Sequence, residues 1–293
     1  MKQHPNPLYD YPCTVIENKR VGKGLKLMRI RQVDGIIPQA FKCKPGQFVM
    51  VDLPTEQFFF RRPFSLLWVD ADGAMDLYYK VVGKGTTMME AIKPGSPIKV
   101  LGPLGSSFTK PQDPGNALFI GGGIGIAPLY FLGKKLQKQG VAMPRCFYGV
   151  RSQNEIGLLG ELKQVFGENR IMISTDDGSH GTHGNVCQIL SAEKEAVQQA
   201  KEAYICGPTP MMQASVNLLK SLNPNIRIEV SLEEHMPCGT GACTGCVVGR
   251  RDQPLPSKVC LNGPVFEAGQ ILWPDEGLCV SDLNHKEQVS CSL

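Results

Sequence analysis

The spacing of apolar residues changes character once along this chain of 293 residues, at "KPQDPGN" (110–116). Before it, short runs rich in Val, Ile, Leu, Phe and Tyr follow one another: "YPCTVIEN", "GLKLMRIR", "GQFVMVDLP", "FSLLWVD", "MDLYYKVVG" and "SPIKVLG". Between them stand "KPG" (44–46), "ADG" (71–73) and "KPG" (93–95), reversal signals because proline presets one φ and glycine permits the positive one. Strands at this spacing predict a closed barrel or a sandwich. After the break, "ALFIGG" reads as a buried strand followed by a glycine turn and a helix, "PLYFLGKKLQKQG". Then come "RCFYGV", "NEIGLLGELKQVF", "RIMIST", "NVCQILSAEKEAVQQA", "AYICG" and "PMMQASVNLLKSL", strand and helix in alternation. That order predicts an α/β domain with a parallel sheet and crossover helices, ending near residue 230. The last sixty or so residues are rich in Cys, Gly and Pro and too few to hold a large core. Something besides hydrophobic burial has to order them, and bound metal would do it. The expected division is therefore a β domain over 1–112, an α/β domain over 113–230 and a small β-rich domain over 231–293.

Composition removes several classes. The chain is 42% hydrophobic and 20% charged, which supports a substantial core. A net charge of +4 without a block of like charges gives no nucleic-acid arm. The pairs Arg61-Arg62 and Arg250-Arg251 read as surface or as local ligand contacts. "MKQHPNPLYD" lacks the apolar core of a signal peptide, and "ALFIGGGIGIAPLYFL" (117–132) is too short and too glycine-rich to span a membrane. Eleven cysteines without an export signal point to a reducing cytoplasm, where thiols bind metal, catalyse or sit in cores.

Four of those cysteines gather in "MPCGTGACTGCVVGRRDQPLPSKVC" (236–260). Disulfides, a zinc ion and an iron–sulfur cluster are the three readings, and the reducing compartment makes disulfides the weakest. Structural zinc sites usually offer two close Cys-x2-Cys pairs. Here Cys238, Cys243 and Cys246 share one loop and Cys260 arrives alone, the plant-type Cys-x4-Cys-x2-Cys…Cys spacing of a [2Fe–2S] cluster. Gly239, Gly241, Ala242 and Gly245 are small enough for the backbone to wrap closely and aim N–H groups at sulfur.

"GGGIGIAP" (121–128) sits between a predicted strand and helix, where a dinucleotide phosphate turn belongs. It departs from G-x-G-x-x-G, since Ile126 stands at the third glycine, and "GVRS" (149–152) lacks the acidic residue that reads an NAD ribose. A plain tight turn is the alternative. "VGKGTT" (82–87) fails as a Walker loop, because Gly85 follows Lys84 and the upstream spacing is wrong. "RRPFSL" (61–66) could be surface. Equally, an Arg, a proline-fixed turn and a hydroxyl could hold a pyrophosphate and a flavin ring. "TDDGSHGTHG" (175–184) holds two Asp and two His but reads better as a glycine-punctuated loop than as a metal site.

Taken together, "RRPFSL", "VVGKGTT", "LGPLGSSF", "GGGIGIAPL", "STDDGS", "CGPTPMM" and "CGTGACTGCVV…KVCLNGPVF" resemble the ferredoxin–NADP reductase superfamily. Within it they resemble the electron-transfer subunits of class 1B dihydroorotate dehydrogenase, over nearly the whole chain. The resemblance implies an antiparallel β-barrel binding FAD, an α/β domain binding NAD and a C-terminal [2Fe–2S] domain. Arg62 would pair with the FAD pyrophosphate after Pro63 fixes the turn, and Ser65 would approach the reactive edge of the isoalloxazine. Phe64 would lie along the cofactor where many relatives carry Tyr. Tyr79, Lys80 and Val81 would line the ribityl and adenine side, with Gly85 and Thr86 giving backbone and hydroxyl donors to phosphate. Gly122, Gly123 and Gly125 would let backbone approach the dinucleotide, and Cys206 would sit beside the nicotinamide, with a plain buried cysteine as its alternative. Cys238, Cys243, Cys246 and Cys260 would hold the cluster. Asp176 and Asp177 would repel a 2′-phosphate and favour NAD, with Arg151 pulling the other way.

The implied partner is an FMN-containing dihydroorotate dehydrogenase catalytic subunit, two of each forming a heterotetramer. Two alternatives share the cofactor layout or part of it. One is the flavin–iron–sulfur subunit of an NADH-dependent ferredoxin:NADP reductase, sulfide dehydrogenase or hydrogenase. The other is a non-enzymatic zinc-bearing adaptor, which would purify colourless. Cys13, Cys43, Cys146, Cys187, Cys279 and Cys291 carry no assigned role, and inert placement is expected for them.

Overall fold

The computed structural model describes residues 8–35, 41–53 and 60–274. Six strands, β1 (Tyr9–Gly22), β2 (Leu25–Gln32), β3 (Phe48–Asp52), β4 (Arg62–Val69), β5 (Met75–Lys80) and β6 (Pro97–Leu104), close into an antiparallel barrel in the order β1-β2-β5-β4-β3-β6. Strand side chains alternate between faces. Val15, Ile30, Val49, Val51, Leu77 and Val100 accordingly fill the interior, while Phe48, Met50 and Leu104 project from the outer wall into a second core. Helix α1 (Lys84–Ala91) closes the end of β5 and was not legible in the sequence. Two glycines and two threonines in its neighbourhood are weak helix formers. Tertiary contacts hold it instead: Met89 is buried, and the Asn18 side chain donates to the carbonyls of Met89 and Ile92 that the helix end leaves open.

The connection at 110–116 is tied down at both ends. Glu229 accepts hydrogen bonds from the N–H and hydroxyl of Thr109, and Glu202 accepts one from the Gln112 N–H at 2.7 Å. Both carboxylates are buried and both meet Arg227, so the pairing offsets the cost of burying charge.

Beyond it run β7 (Ala117–Gly122), α2 (Ile126–Lys138), β8 (Arg145–Val150), α3 (Leu159–Phe166), β9 (Ile171–Thr175), the short β10 (Thr182–His183), α4 (Val186–Ala192), α5 (Lys194–Gln199), β11 (Glu202–Cys206), α6 (Thr209–Leu222) and β12 (Arg227–Ser231). Two expected helices differ. The one expected from Asn154 starts only at Leu159, because the Asn154 carbonyl accepts the Lys23 N–H and Glu155 pairs with Lys80, both on the barrel. The one expected over 185–200 breaks at Glu193, whose φ of −98° and ψ of 41° are not helical.

The last segment forms the ribbon β13 (Val247–Val248) and β14 (Ser257–Lys258), the single turn α7 (Val259–Asn262) and β15 (Val265–Glu267). Strand β15 joins β12 antiparallel, giving the sheet order β10-β9-β8-β7-β11-β12-β15. The cysteine-bearing segment thus shares its core with both other regions: Met236, Cys246, Val248, Cys260 and Phe266 cluster with Met50 and Leu104 of the barrel and with Ile205 and Val230 of the sheet. Among the described residues no helix is long and apolar enough to cross a membrane.

Candidate functional site

The barrel end formed by β4 and α1 gathers several expected flavin residues. Arg62, Pro63, Phe64 and Ser65 are all only half-buried, unlike the four residues that follow them in β4. The Arg62 guanidinium lies over Gly85, where a Cβ would stand 2.8 Å from Nε. That guanidinium also donates to the Phe60 carbonyl. Beside it, the first-turn N–H groups of α1 have no partners within the helix. A cation and free N–H groups on a helix N-terminus suit a pyrophosphate.

Two expected contacts do not fit as assigned. Tyr79 is buried inside the barrel rather than lining a ligand, because alternation along β5 turns it inward. Its hydroxyl donates to Asn18, the residue that holds α1, and its ring meets Phe64 edge-on. Tyr79 is thus linked to the end of α1 through Asn18. The Thr86 hydroxyl accepts from the N–H groups of Val82 and Gly83 and donates to the Gly83 carbonyl, so its proton serves the turn and not a phosphate. Lys80 pairs with Glu155 at 2.9 Å and bridges the barrel to the α/β sheet. Val81 donates its N–H to Gly24 and packs on the barrel core.

In the sheet, β7 has β8 on one side and β11 on the other, so the order in which the parallel strands are added reverses at β7 and leaves a crevice at the carboxyl ends of β7 and β11. Gly121 pairs with Cys206 there. A Cβ on Gly122 would meet the Met211 sulfur, and one on Gly125 would meet the backbone of Cys206 and Gly207. Gly123, with φ of +54°, has nothing within 4 Å of its Cβ position. The turn is closed behind and open in front, the shape a dinucleotide phosphate needs. Cys206 is buried, and burial pushes its thiol up to about 12, with the Glu233 charge adding to the effect and the Ser231 hydroxyl opposing it. It is a neutral thiol suited to packing against a ring, not a nucleophile. Glu233 was not found by sequence reasoning. It stands two residues past β12 and is exposed by area, yet the protein around it raises its carboxyl, with His235 pulling down. No sequence pattern marks it. At the end of β9, Asp177 accepts the Ser179 N–H and hydroxyl, which hold its carboxyl below the usual range.

The four thiols come as two pairs. Cys238 and Cys243 place their sulfurs 3.2 Å apart. Cys246 and Cys260 hydrogen-bond to each other, which draws the former thiol down and pushes the latter up. Burial works against the Cys238 thiolate, but donors from Cys243 and Thr240 outweigh it and bring it to about 6. Thiolates are the form that binds iron. The loop turns through Gly239 and Gly241 at φ of +70° and +81°. Its two strands of chain are joined by the Val259 N–H to the Cys246 carbonyl and by the Lys258 ammonium to the Gly241 carbonyl. The residues present fit an iron–sulfur centre.

Of the other cysteines, Cys13, Cys43 and Cys146 are buried with their thiols pushed up by burial, which leaves them protonated and inert. Cys187 is half-buried, 3.7 Å from the Ser215 hydroxyl. Cys279 and Cys291 lie outside the described residues.

Three family models match in succession: an oxidoreductase FAD-binding domain over residues 12–108, an oxidoreductase NAD-binding domain over 119–217, and the iron–sulfur cluster binding domain of dihydroorotate dehydrogenase B over 233–272. A flavin barrel, a dinucleotide sheet and an iron–sulfur module in one chain define a flavin–iron–sulfur oxidoreductase. The "Dihydroorotate dehydrogenase B (NAD(+)), electron transfer subunit" of Geobacillus kaustophilus is 39% identical over 234 residues, 78% of this chain and 87% of the relative. The protein of the same description from Fusobacterium nucleatum is 37% identical over 270 residues, 88% and 97% of the two chains. The chain belongs to this family of dihydroorotate dehydrogenase B electron transfer subunits. Among solved structures, that of an NADH-dependent reduced ferredoxin-NADP oxidoreductase superposes with a TM-score of 0.77 at 27% identity, covering 94% of this chain and 95% of its own.

Proposed function

We propose that this chain carries electrons between NAD(H), FAD and a [2Fe–2S] cluster, to or from an FMN-containing dihydroorotate dehydrogenase catalytic subunit, with two copies of each in the complex. The observation that carries this reading is the seating of a four-thiol loop on the outer wall of the flavin barrel. NADH gives up two electrons as a hydride and an iron–sulfur centre takes one, so the flavin supplies the conversion when bound. The chain's own residues bind and orient. Arg62 and the α1 N-terminus hold pyrophosphate, Pro63, Phe64 and Ser65 flank the isoalloxazine, and Gly122, Gly123 and Gly125 admit the dinucleotide. Cys206 packs at the nicotinamide as a neutral group. The fixed carboxylate of Asp177, with Asp176 beside it, disfavours a 2′-phosphate by like charge. Cys238, Cys243, Cys246 and Cys260 would hold the cluster through their sulfurs. The proposed limits of the three regions are 1–112, 113–230 and 231–293, with β15 returning to the sheet of the second. Nine free thiols among the described cysteines suit a reducing, cytoplasmic setting.

Arg62→Ala is expected to weaken FAD binding by about 1.5–3 kcal/mol, the net worth of hydrogen bonds to a charged group. Flavin stoichiometry after dialysis and fluorescence titration of the apoprotein measure it. Retention of full flavin would assign the pyrophosphate elsewhere. The likeness to the ferredoxin-NADP oxidoreductase favours a second reading, in which the partner is not a dihydroorotate enzyme. Affinity purification of the full chain from its native cytosol separates the two. An FMN protein that oxidises dihydroorotate should accompany it, and recovery of a different redox subunit in its place would overturn the partner.

A further inference from the structure

Strands β3 and β4 pair so that Phe48 stands opposite Ser65 and Met50 opposite Pro63. Directly opposed residues of antiparallel strands project from the same face. These four side chains therefore share the outer wall of the barrel, while Val49 and Val51 fill its interior. Ser65 and Pro63 stay half-buried. Met50 does not: it is wholly covered. Its cover is the cysteine loop. A Cβ on Gly239 would stand 2.5 Å from Met50 Cγ, 2.9 Å from its sulfur and 3.3 Å from Leu104. Gly239 is bonded directly to Cys238.

The second arm of the thiol set is fastened to the same wall. Three residues past Cys260, the Gly263 carbonyl accepts the Ser106 N–H, and the Ser106 hydroxyl exchanges hydrogen bonds with the Val265 N–H and carbonyl at 3.1 and 3.0 Å. Ser106 follows β6, which pairs with β3. Both arms thus rest on adjacent strands, and β4 lies one strand further, at a spacing of about 4.8 Å.

We infer that the Gly239–Met50 contact sets the separation between the flavin on β4 and the cluster, and with it the rate at which single electrons cross between them. The inference rests on the proposed flavin and cluster ligands. In the NADH direction each crossing removes one electron from reduced FAD and adds one to the cluster. Two crossings, with release of the one proton that arrived as hydride, would restore oxidised FAD, and the catalytic subunit's flavin would receive the two electrons together with protons from water. Electron tunnelling falls off exponentially with distance, so a methyl group that lifts the loop from Met50 slows the crossing and leaves hydride transfer upstream of it.

The test compares the wild-type holoprotein with Gly239→Ala and with the Gly239→Ala, Met50→Ala double variant. NADH is mixed rapidly with each, and flavin bleaching and cluster reduction are followed in the same trace, with iron per flavin determined alongside. In Gly239→Ala the rate of cluster reduction relative to flavin reduction should fall by roughly ten- to a hundredfold, the upper figure being what a misplacement of about 1 Å can cost. The double variant should recover most of it, because the methyl group enters the space the thioether leaves. Backbone strain at a positive φ is common to both proteins, so recovery reports the contact alone. Should Gly239→Ala hold too little iron, the same recovery is read as iron per flavin. A wild-type ratio in iron-replete Gly239→Ala, or a double variant no better than the single by either measure, would overturn the inference. Failure of the ligand reading shows separately, as wild-type protein without iron or with stoichiometric zinc.

Discussion

Cys243→Ser is expected to abolish the paramagnetic signal of the reduced cluster while NADH still bleaches the flavin. The thiol it removes is one half of the Cys238–Cys243 pair, with sulfurs 3.2 Å apart. A serine hydroxyl keeps the size but not the thiolate, and soft sulfur donors are what iron–sulfur centres select. The loop itself should survive, since its shape comes from Gly239 and Gly241 at positive φ and from the Lys258 and Val259 tethers, none of which involve the Cys243 sulfur. Flavin reduction depends on β4, α1 and the glycine turn, which belong to other elements. The variant therefore separates two half-reactions: bleaching by NADH persists, and reduction of the partner flavin falls to background. Electron paramagnetic resonance of dithionite-reduced protein, with iron and flavin analysis, measures the first claim. An unchanged spectrum would remove Cys243 from the ligand set.

Much of this architecture was readable because its signals are local. The six strands of the barrel carry period-two patterning and proline–glycine reversals, and the parallel sheet carries strand–helix alternation. The thiol spacing lies within one stretch of 23 residues, from Cys238 to Cys260. The illegible features depend on partners distant in the chain. Helix α1 owes its place to Asn18, some seventy residues earlier. The segment at 152–158 stays out of α-helix because Lys23 and Lys80 of the barrel claim its polar groups. Strand β12 is not legible because "RIEVS" is short and alternates two charged residues with apolar ones, and Glu229 reads as polar until Thr109 and Arg227 are beside it. The family resemblance implies ligand roles for Tyr79 and Thr86, and side-chain alternation and turn closure give their hydroxyls protein partners instead. The sequence marks Gly239 as a small residue that lets the backbone wrap at a positive φ, which it does. Its contact with Met50 spans nearly two hundred positions and leaves no trace in the local sequence.

Gly125→Ala is expected to displace the backbone of the crevice wall and so damage both stability and dinucleotide use, whereas Gly123→Ala, which costs only the strain of a left-handed alanine, should act chiefly on the second. At Gly125 the new methyl group would lie 2.4 Å from the Cys206 carbonyl oxygen, 2.6 Å from its carbon and 2.7 Å from the Gly207 Cα. All three are backbone atoms, so no rotamer change relieves the clash. Either the end of β11 or the start of α2 has to move, and overpacking of this kind costs about 1–3 kcal/mol. The displaced atoms belong to Cys206 and to the crevice wall, so reduction of the flavin by NADH should fall with the melting temperature. At Gly123 the methyl group meets no protein atom within 4 Å. The change there costs roughly 1–2 kcal/mol, for an alanine in the left-handed region. The methyl group projects into the space left for the dinucleotide, so KM for NADH should rise while the secondary structure is retained. Thermal unfolding paired with flavin-reduction kinetics tests both variants. If Gly125→Ala melts with the wild type and reduces its flavin normally, β11 and α2 do not pack as closely as these contacts require. If Gly123→Ala leaves KM for NADH unchanged, the open side of the turn is not where the dinucleotide binds.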